Sequence, residues 1–210
     1  MAVTTMQFEA LAPVPYSEAR ARMKTGDILL FHSLELQSAI IEHFTDSLWS
    51  HAAFVWCMPD IDRVLLLESV DTYGVRLLAL SNRINGSSAA PAPYPGKLLL
   101  LRHSEFPDPP DPAKIGLMTR FAIDRLGYPY STGDLIKIGM RIAAGLADQT
   151  LPGNLEPVNS YVCSEYVAKC YDAMGIDLAP DKEGFIAPAD IADDPNVEAV
   201  CALCPDTRPG

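Results

Sequence analysis

Cys163-Ser164-Glu165-Tyr166-Val167-Ala168-Lys169 sets a thiol at the start of an amphipathic segment. Val167, Cys170, Tyr171 and Met174 recur on one helical face before Gly175 stops it. The stretch ahead, Asn154 to Ser160, is polar and reads as an approach loop, so the cysteine falls at a helix N-terminus. Unpaired N–H groups and the helix dipole favour a thiolate there, and with a histidine alongside the pKa drops from ~8.5 into the range ~3.5–7.5. Glu165 suits the dipole yet adds a negative charge, so the depression depends on a cationic partner.

Such a partner stands far upstream, in Ser50-His51-Ala52-Ala53-Phe54-Val55. Strand alternation puts the His51 imidazole on the face of Ala53 and Val55, whose small side chains leave room for a docking helix. Taken alone, a histidine amid apolar residues is a satisfied core or edge group. Its case rests on Glu68, which ends the apolar run Val64-Leu65-Leu66-Leu67. A carboxylate in that position needs a paired charge or a hydrogen bond if buried. Pairing the two strands through the turn at Pro59-Asp60 would bring Glu68 beside His51, where it could hold the ring's tautomer. Alone, Glu68 reads as a surface residue at a strand end.

The remaining elements follow from turn signals and periodicity. A short helix over Ser17–Lys24 ends at Thr25-Gly26, and Asp27–His32 is an apolar strand. Leu36, Ile40, Ile41 and Phe44 give a helical spacing over Ser33–Thr45. Strands are expected over His51–Trp56, Arg63–Ser69, Gly74–Leu80 and Lys97–His103, with a loop over Asn85–Gly96. Beyond the proline-dense stretch Pro107–Pro112, helices are expected over Lys114–Leu126 and Asp134–Leu146. Strands first and helices after predict an α+β fold, in which a small antiparallel sheet packs against the helix that carries the cysteine. The 210 residues fit a single domain, 1–210.

Composition narrows the function classes. With 16 basic and 27 acidic residues the formal charge is −11, which would repel phosphate backbones and anionic head groups. No nucleic-acid partner is expected. No apolar run approaches the ~18–20 residues that span a bilayer, so no stable membrane insertion is expected. Met1–Leu11 has no positive charge and no apolar stretch before a cleavage site, so the expected location is cytoplasmic. Five cysteines, an odd number, argue against a disulfide framework. Cys201-x-x-Cys204 is half a zinc site without a second pair and reads as ordinary burial in a tail.

Five short motifs now stand in order: Gly26-Asp27-Ile28-Leu29, Ser50-His51-Ala52-Ala53, Glu68, Leu126-Gly127-Tyr128-Pro129-Tyr130 and Tyr161-Val162-Cys163-Ser164-Glu165. Together they resemble the circularly permuted branch of the NlpC-type papain-like superfamily, the YiiX-like proteins, with lecithin retinol acyltransferases as more distant relatives. The resemblance runs from about residue 20 to about residue 195. It implies a papain-like core in which the histidine and its polar partner precede the cysteine, with Cys163 as nucleophile, His51 as general base and Glu68 as the orienting residue. Two positions depart from the pattern: Ser131 stands where an acidic residue often follows the aromatic of the Gly-x-Pro-Tyr element, and the loop from Ala144 to Ser160 has no counterpart.

The implied activity is that of a cysteine hydrolase or acyltransferase that attacks an amide or ester and passes through a thioester, on a small-molecule, peptide-like or acyl-lipid substrate. Tyr128, Tyr130 and Ser164 are the expected substrate-binding residues; no cofactor and no metal are expected. Two alternatives stay open: a non-catalytic binding module on the same fold, and a zinc hydrolase built from His51, Glu68 and Cys163. His32 and His43 lack a helical metal-binding register, and His103 reads as a solvated strand-end residue. The oligomeric state is not legible in the sequence.

Overall fold

The computed structural model describes residues 8–32, 48–88, 90–130, 162–178 and 186–206. Seven strands form one sheet: β1 (Val14–Pro15), β2 (Ile28–His32), β3 (His51–Met58), β4 (Arg63–Val70), β5 (Gly74–Ala79), β6 (Lys97–His103) and β7 (Val197–Cys204). Their order is β1-β7-β6-β2-β3-β4-β5, antiparallel throughout except for the parallel pair β1–β7. The helices among the described residues are α1 (Tyr16–Ala19), α2 (Leu80–Asn85), α3 (Pro112–Ile123), α4 (Cys163–Asp172) and α5 (Pro188–Asp193). None is long and apolar enough to cross a membrane.

The sheet is larger than the sequence suggested, because the C-terminal segment returns as β7 beside β6 and recruits β1. Both of its faces are covered, which is why β2 reads as a continuous apolar run rather than an alternating one. Ile28, Leu30, Ala52, Phe54, Leu67, Leu99 and Leu101 pack with Tyr166, Val167, Cys170 and Tyr171 of α4 in one cluster. Leu29, Phe31, Ala53, Val55, Leu66, Leu98 and Leu100 pack with Tyr16, Ala19, Leu80 and Ile84 in the other. The cysteine helix therefore docks on the Ala52 and Phe54 face, not on the Ala53 and Val55 face expected from side-chain size. β3 offers an alanine to each side, so size could not choose between them.

Local chemistry explains the boundaries. α3 starts two residues earlier than expected, at Pro112 behind Asp111, and ends three residues earlier, at Ile123. The Asp111 carboxylate accepts from the N–H of Ala113 at 2.9 Å and of Lys114 at 3.5 Å, a side-chain N-cap followed by proline in the first turn. Leu80–Asn85, where a strand was expected to give way to loop, is the short helix α2, held by burial of Leu80 and Ile84. The helices expected over Ser33–Thr45 and Asp134–Leu146, and the approach loop Asn154–Ser160, lie outside the described residues.

Two hydroxyls seat α4. Tyr171 donates to the carbonyl oxygen of Gly26, just ahead of β2, and Tyr166 donates to that of Ala122 on α3 at 3.0 Å. Gly26 has φ +97°, and a Cβ there would lie 2.0 Å from the Phe106 ring, so the turn needs glycine. Asp27, 1% exposed, closes the same corner: Arg102 donates to its two oxygens at 2.7 and 2.8 Å, and the Lys24 N–H donates at 2.8 Å. The Gly26-Asp27 motif thus anchors the cysteine helix to the sheet.

Candidate active site

The β3–β4 ladder runs from Met58↔Arg63 to Phe54↔Leu67 and stops there, while β4 goes on pairing with β5 as far as Val70↔Gly74. His51 and Ala52 lie past the end of the paired stretch, and α4 packs against β3 and β4 beside this opening. Val162, the residue that caps α4, supplies no side-chain hydrogen bond, so the N–H groups of the first turn are left for another acceptor. The Cys163 sulfur takes two N–H groups, from Ser164 in its own helix and from Ala52 in the strand.

The same sulfur is hydrogen-bonded to the His51 ring. On the other side of that ring, Nε2 lies 2.7 Å from Oε2 of Glu68, which leaves Nδ1 for the sulfur. Glu68 is fully buried, and its second oxygen, Oε1, accepts from Arg76 Nε at 2.8 Å and also from Nη2. The Phe31 ring packs on the imidazole with centroids 5.2 Å apart, fixing its plane. The structure therefore brings Cys163, His51 and Glu68 into one hydrogen-bonded line and adds Arg76 at its end.

Charges along the line bias the protonation states. Burial alone would lower the imidazole, but the charge and hydrogen bond of Cys163, followed by those of Glu68, raise His51 to about 9. Burial would raise the Glu68 carboxyl; the His51 hydrogen bond and charge, with the Arg76 and Arg83 cations, instead hold it at about 2. For Cys163, burial raises the thiol, and the His51 charge and hydrogen bond with the Ala52 and Ser164 N–H groups outweigh it, so the net shift is downward. Each shift favours the charged form: thiolate at Cys163, imidazolium at His51 and carboxylate at Glu68. The cation that Cys163 required is His51.

Tyr130 reaches this line through an added edge on β5. Val75 donates to the Tyr128 carbonyl at 2.9 Å, and Gly127 donates to the Val75 carbonyl at 2.9 Å. The approach is close enough that a Cβ on Gly74, which has φ +65°, would sit 2.0 Å from the Tyr128 oxygen. The Tyr130 hydroxyl is held un-ionised by burial and by the negative charges of Cys163 and Asp71. It thus remains a donor within electrostatic reach of the sulfur.

Other candidates fall elsewhere. Tyr128 packs on the larger core cluster. The Ser164 hydroxyl is committed to the Ile186 carbonyl at 2.6 Å, so its N–H, not its side chain, faces the sulfur. His103 is not solvated: at 1% exposure it is covered by Tyr171, whose ring centroid is 5.7 Å away, and its Nδ1 accepts the Glu105 N–H at 3.2 Å. Cys201 and Cys204 belong to strand β7, three residues apart and hence on opposite faces, so they do not converge on one ion. His32 ends β2, and His43 lies outside the described residues.

Arg76 was missed. Its signal was present: Asp71-Thr72-Tyr73 is the turn between β4 and β5, and a hairpin centred on Thr72 pairs Glu68 with Arg76. The Ala52 N–H had no signal, since it is exposed to the sulfur only because the ladder stops.

No family model matches the chain, and no curated protein matches it. Among solved structures it is similar to the metalloprotein yiiX from Escherichia coli O157:H7, with a TM-score of 0.58 at 18% identity, over 87% of this chain and 98% of that one. The fold is yiiX-like. At this identity the likeness carries the α+β architecture and leaves the chemistry to the residues themselves.

In the part of this chain that is described, no group of three or more His, Cys, Asp or Glu residues could hold a metal ion. Within the yiiX-like core, the imidazole stands between thiol and carboxylate with its nitrogens turned to opposite sides, so Cys163, His51 and Glu68 cannot share one ion.

Proposed function

We propose that this chain is a cysteine hydrolase or acyltransferase with a papain-like arrangement of Cys163, His51 and Glu68. The observation that carries the reading is the sulfur–imidazole–carboxylate line, in which the thiol is pushed down and the imidazole up. An unreactive structural cysteine in a core has the reverse tendency, as Cys170 does, with burial pushing its thiol up to about 12.

In this reading the Cys163 thiolate attacks the carbonyl carbon of an amide or ester, and electrons move onto the carbonyl oxygen. N–H groups at the start of α4, including that of Cys163, stabilise the oxyanion, and the Tyr130 hydroxyl donates on the substrate side. Collapse of the tetrahedral species breaks the C–N or C–O bond, and imidazolium His51 passes its proton to the departing amine or alcohol. A thioester remains. Water, or a second nucleophile in the transfer variant, attacks it with His51 as base, which releases the acyl group and restores the thiolate–imidazolium pair. Glu68 keeps Nε2 protonated and the ring aligned; Arg76 keeps Glu68 ionised. Peptide-like and acyl-lipid substrates both meet these requirements.

Labelling with matched peptidyl and acyl electrophiles tests the proposal and sorts the substrate classes together. Modification of Cys163 by one series, lost in His51→Ala, is expected; equal labelling of all five cysteines would remove the nucleophile. The metal reading, favoured by the description of yiiX, predicts instead that excess chelator abolishes turnover and added zinc restores it.

A further inference from the structure

We infer that the face of the sheet opposite α4 carries a second binding site, for a small monocarboxylate. The site is a cavity of about 370 Å³, at the small end of the range ~300–1,000 Å³ of ligand pockets. Tyr16, Arg20 and Arg63 line it with Ser81 and Asn82, over a floor of Val64 and Ala79. Tyr16 and Val64 belong to the cluster under α1 and α2, so the sheet itself separates this cavity from Cys163.

Tyr16 marks the cavity as polar by design. It is only 6% exposed, yet its hydroxyl makes no hydrogen bond to another described residue, and the cations nearest to it in effect are Arg20 and Arg63. The ring is buried while the hydroxyl oxygen is not, so the hydroxyl is open to whatever enters the cavity. Ser81 and Asn82 add side chains that are likewise without a described partner.

The guanidinium groups are fixed in advance. Asp62, in the left-handed conformation at φ 51°, presents its carbonyl oxygen to Arg20 Nη2 at 2.8 Å and to Arg63 Nη1 at 2.7 Å, and its carboxylate to Arg20 as well. Arg20 keeps Nε and Nη1, and Arg63 keeps Nε and Nη2, without an acceptor among the described residues. These are the N–H pairs with which arginine grips a carboxylate through two oxygens.

Charge selects among anions. Two guanidinium groups face the Asp62 carboxylate, in a chain whose overall charge is −11. Asp206, whose charge also acts on Tyr16, accepts from the Ser17 N–H at 2.8 Å and the Asn85 amide at 2.7 Å. With these carboxylates already present, a monocarboxylate adds one negative charge for the arginines to hold, whereas a phosphate dianion would add two. Val64 and Ala79 match a short hydrocarbon chain on the ligand.

The test is a titration of the 15N-labelled full chain with butyrate, followed by amide chemical shifts, against sodium chloride at equal ionic strength and against inorganic phosphate. Saturable shifts centred on Tyr16, Arg63, Val64 and Ser81 are expected, unchanged when Cys163 has first been alkylated. Tyr16→Phe and Arg63→Gln should each weaken binding by about fivefold or more, the loss of one charge-assisted or hydroxyl hydrogen bond. Shifts that rise linearly, that chloride reproduces, that vanish on alkylation of Cys163 or that persist at full affinity in Arg63→Gln would overturn the site. Phosphate binding as tightly as butyrate at the same residues would overturn the monocarboxylate assignment. Arg63 is exposed and Tyr16→Phe keeps the ring, so both variants test the cavity rather than the fold.

Discussion

Arg76 stands directly across the β4–β5 ladder from Glu68 and holds Oε1, which leaves Oε2 to His51. One carboxylate thereby couples a cation on the outer strand to the imidazole beside the sulfur. Glu68→Gln removes the negative charge that helps hold His51 at about 9. The His51 pKa then falls, and the alkaline limit of the thiolate–imidazolium pair should move down by about one pH unit. Arg76→Gln should shift it slightly the other way, because a cation is removed while Glu68 keeps its charge and its hydrogen bond to the ring. The pH profile of Cys163 alkylation reads both; an unmoved profile in Glu68→Gln would reduce the carboxylate to a packing role.

Thiol chemistry should single out one cysteine. Burial and the nearby Asp27 charge raise Cys57 to about 11, and burial raises Cys170 to about 12, whereas Cys163 is lowered. At pH ~6 iodoacetamide should label Cys163 at least about tenfold faster than either, as followed by peptide mass mapping. Cys163→Ala should abolish turnover, with a change in unfolding free energy of no more than about 1 kcal/mol, since a small side chain replaces a small one. Full turnover in that variant would end the enzyme reading.

His103 gives the fold an acid sensitivity. Burial lowers its pKa below 6.5, against the opposing charges of Asp194 and Glu105. Between the folded value and 6.5 the unfolded chain binds the proton that the folded chain refuses, so this contribution to stability declines as the pH drops through 6.5. The added proton would sit on Nδ1, which in the folded chain accepts the Glu105 N–H, so charging the ring would break that hydrogen bond. Denaturant unfolding at pH 7.5 and 5.5 should show a smaller difference in His103→Gln than in the parent chain. An equal difference in both would assign the sensitivity to other groups.

Gly74→Ala joins the edge of the sheet to the site. The added Cβ would meet the Tyr128 carbonyl at 2.0 Å in a backbone with φ +65°. The substitution should cost about 1–3 kcal/mol, read by denaturant unfolding, and should displace the strand that carries Tyr130. Slower acylation of Cys163 at unchanged thiol alkylation would place the effect on the substrate side.

Much of this was legible in the chain. β6 matches its expected span, Lys97–His103, because charge bounds an unbroken leucine run on both sides. Cys163, His51 and Glu68 could be picked out since each violates its local pattern: a thiol at a helix start, an imidazole and a carboxylate in apolar strands. What escaped depends on long-range pairing. β7 lacks clear alternation, as its register slips against β6 between Leu100 and Leu101, and β1 has only two residues. The docking face of β3 was misread since alanines lie on both sides of it. His103 was misjudged because its cover, Tyr171, comes from a helix far along the chain.

Because the sulfur takes N–H groups from both the helix and the strand, its acidity registers how well two distant parts of the chain fit together. A drift of α4 away from β3 would lengthen these contacts and let burial push the thiol back up.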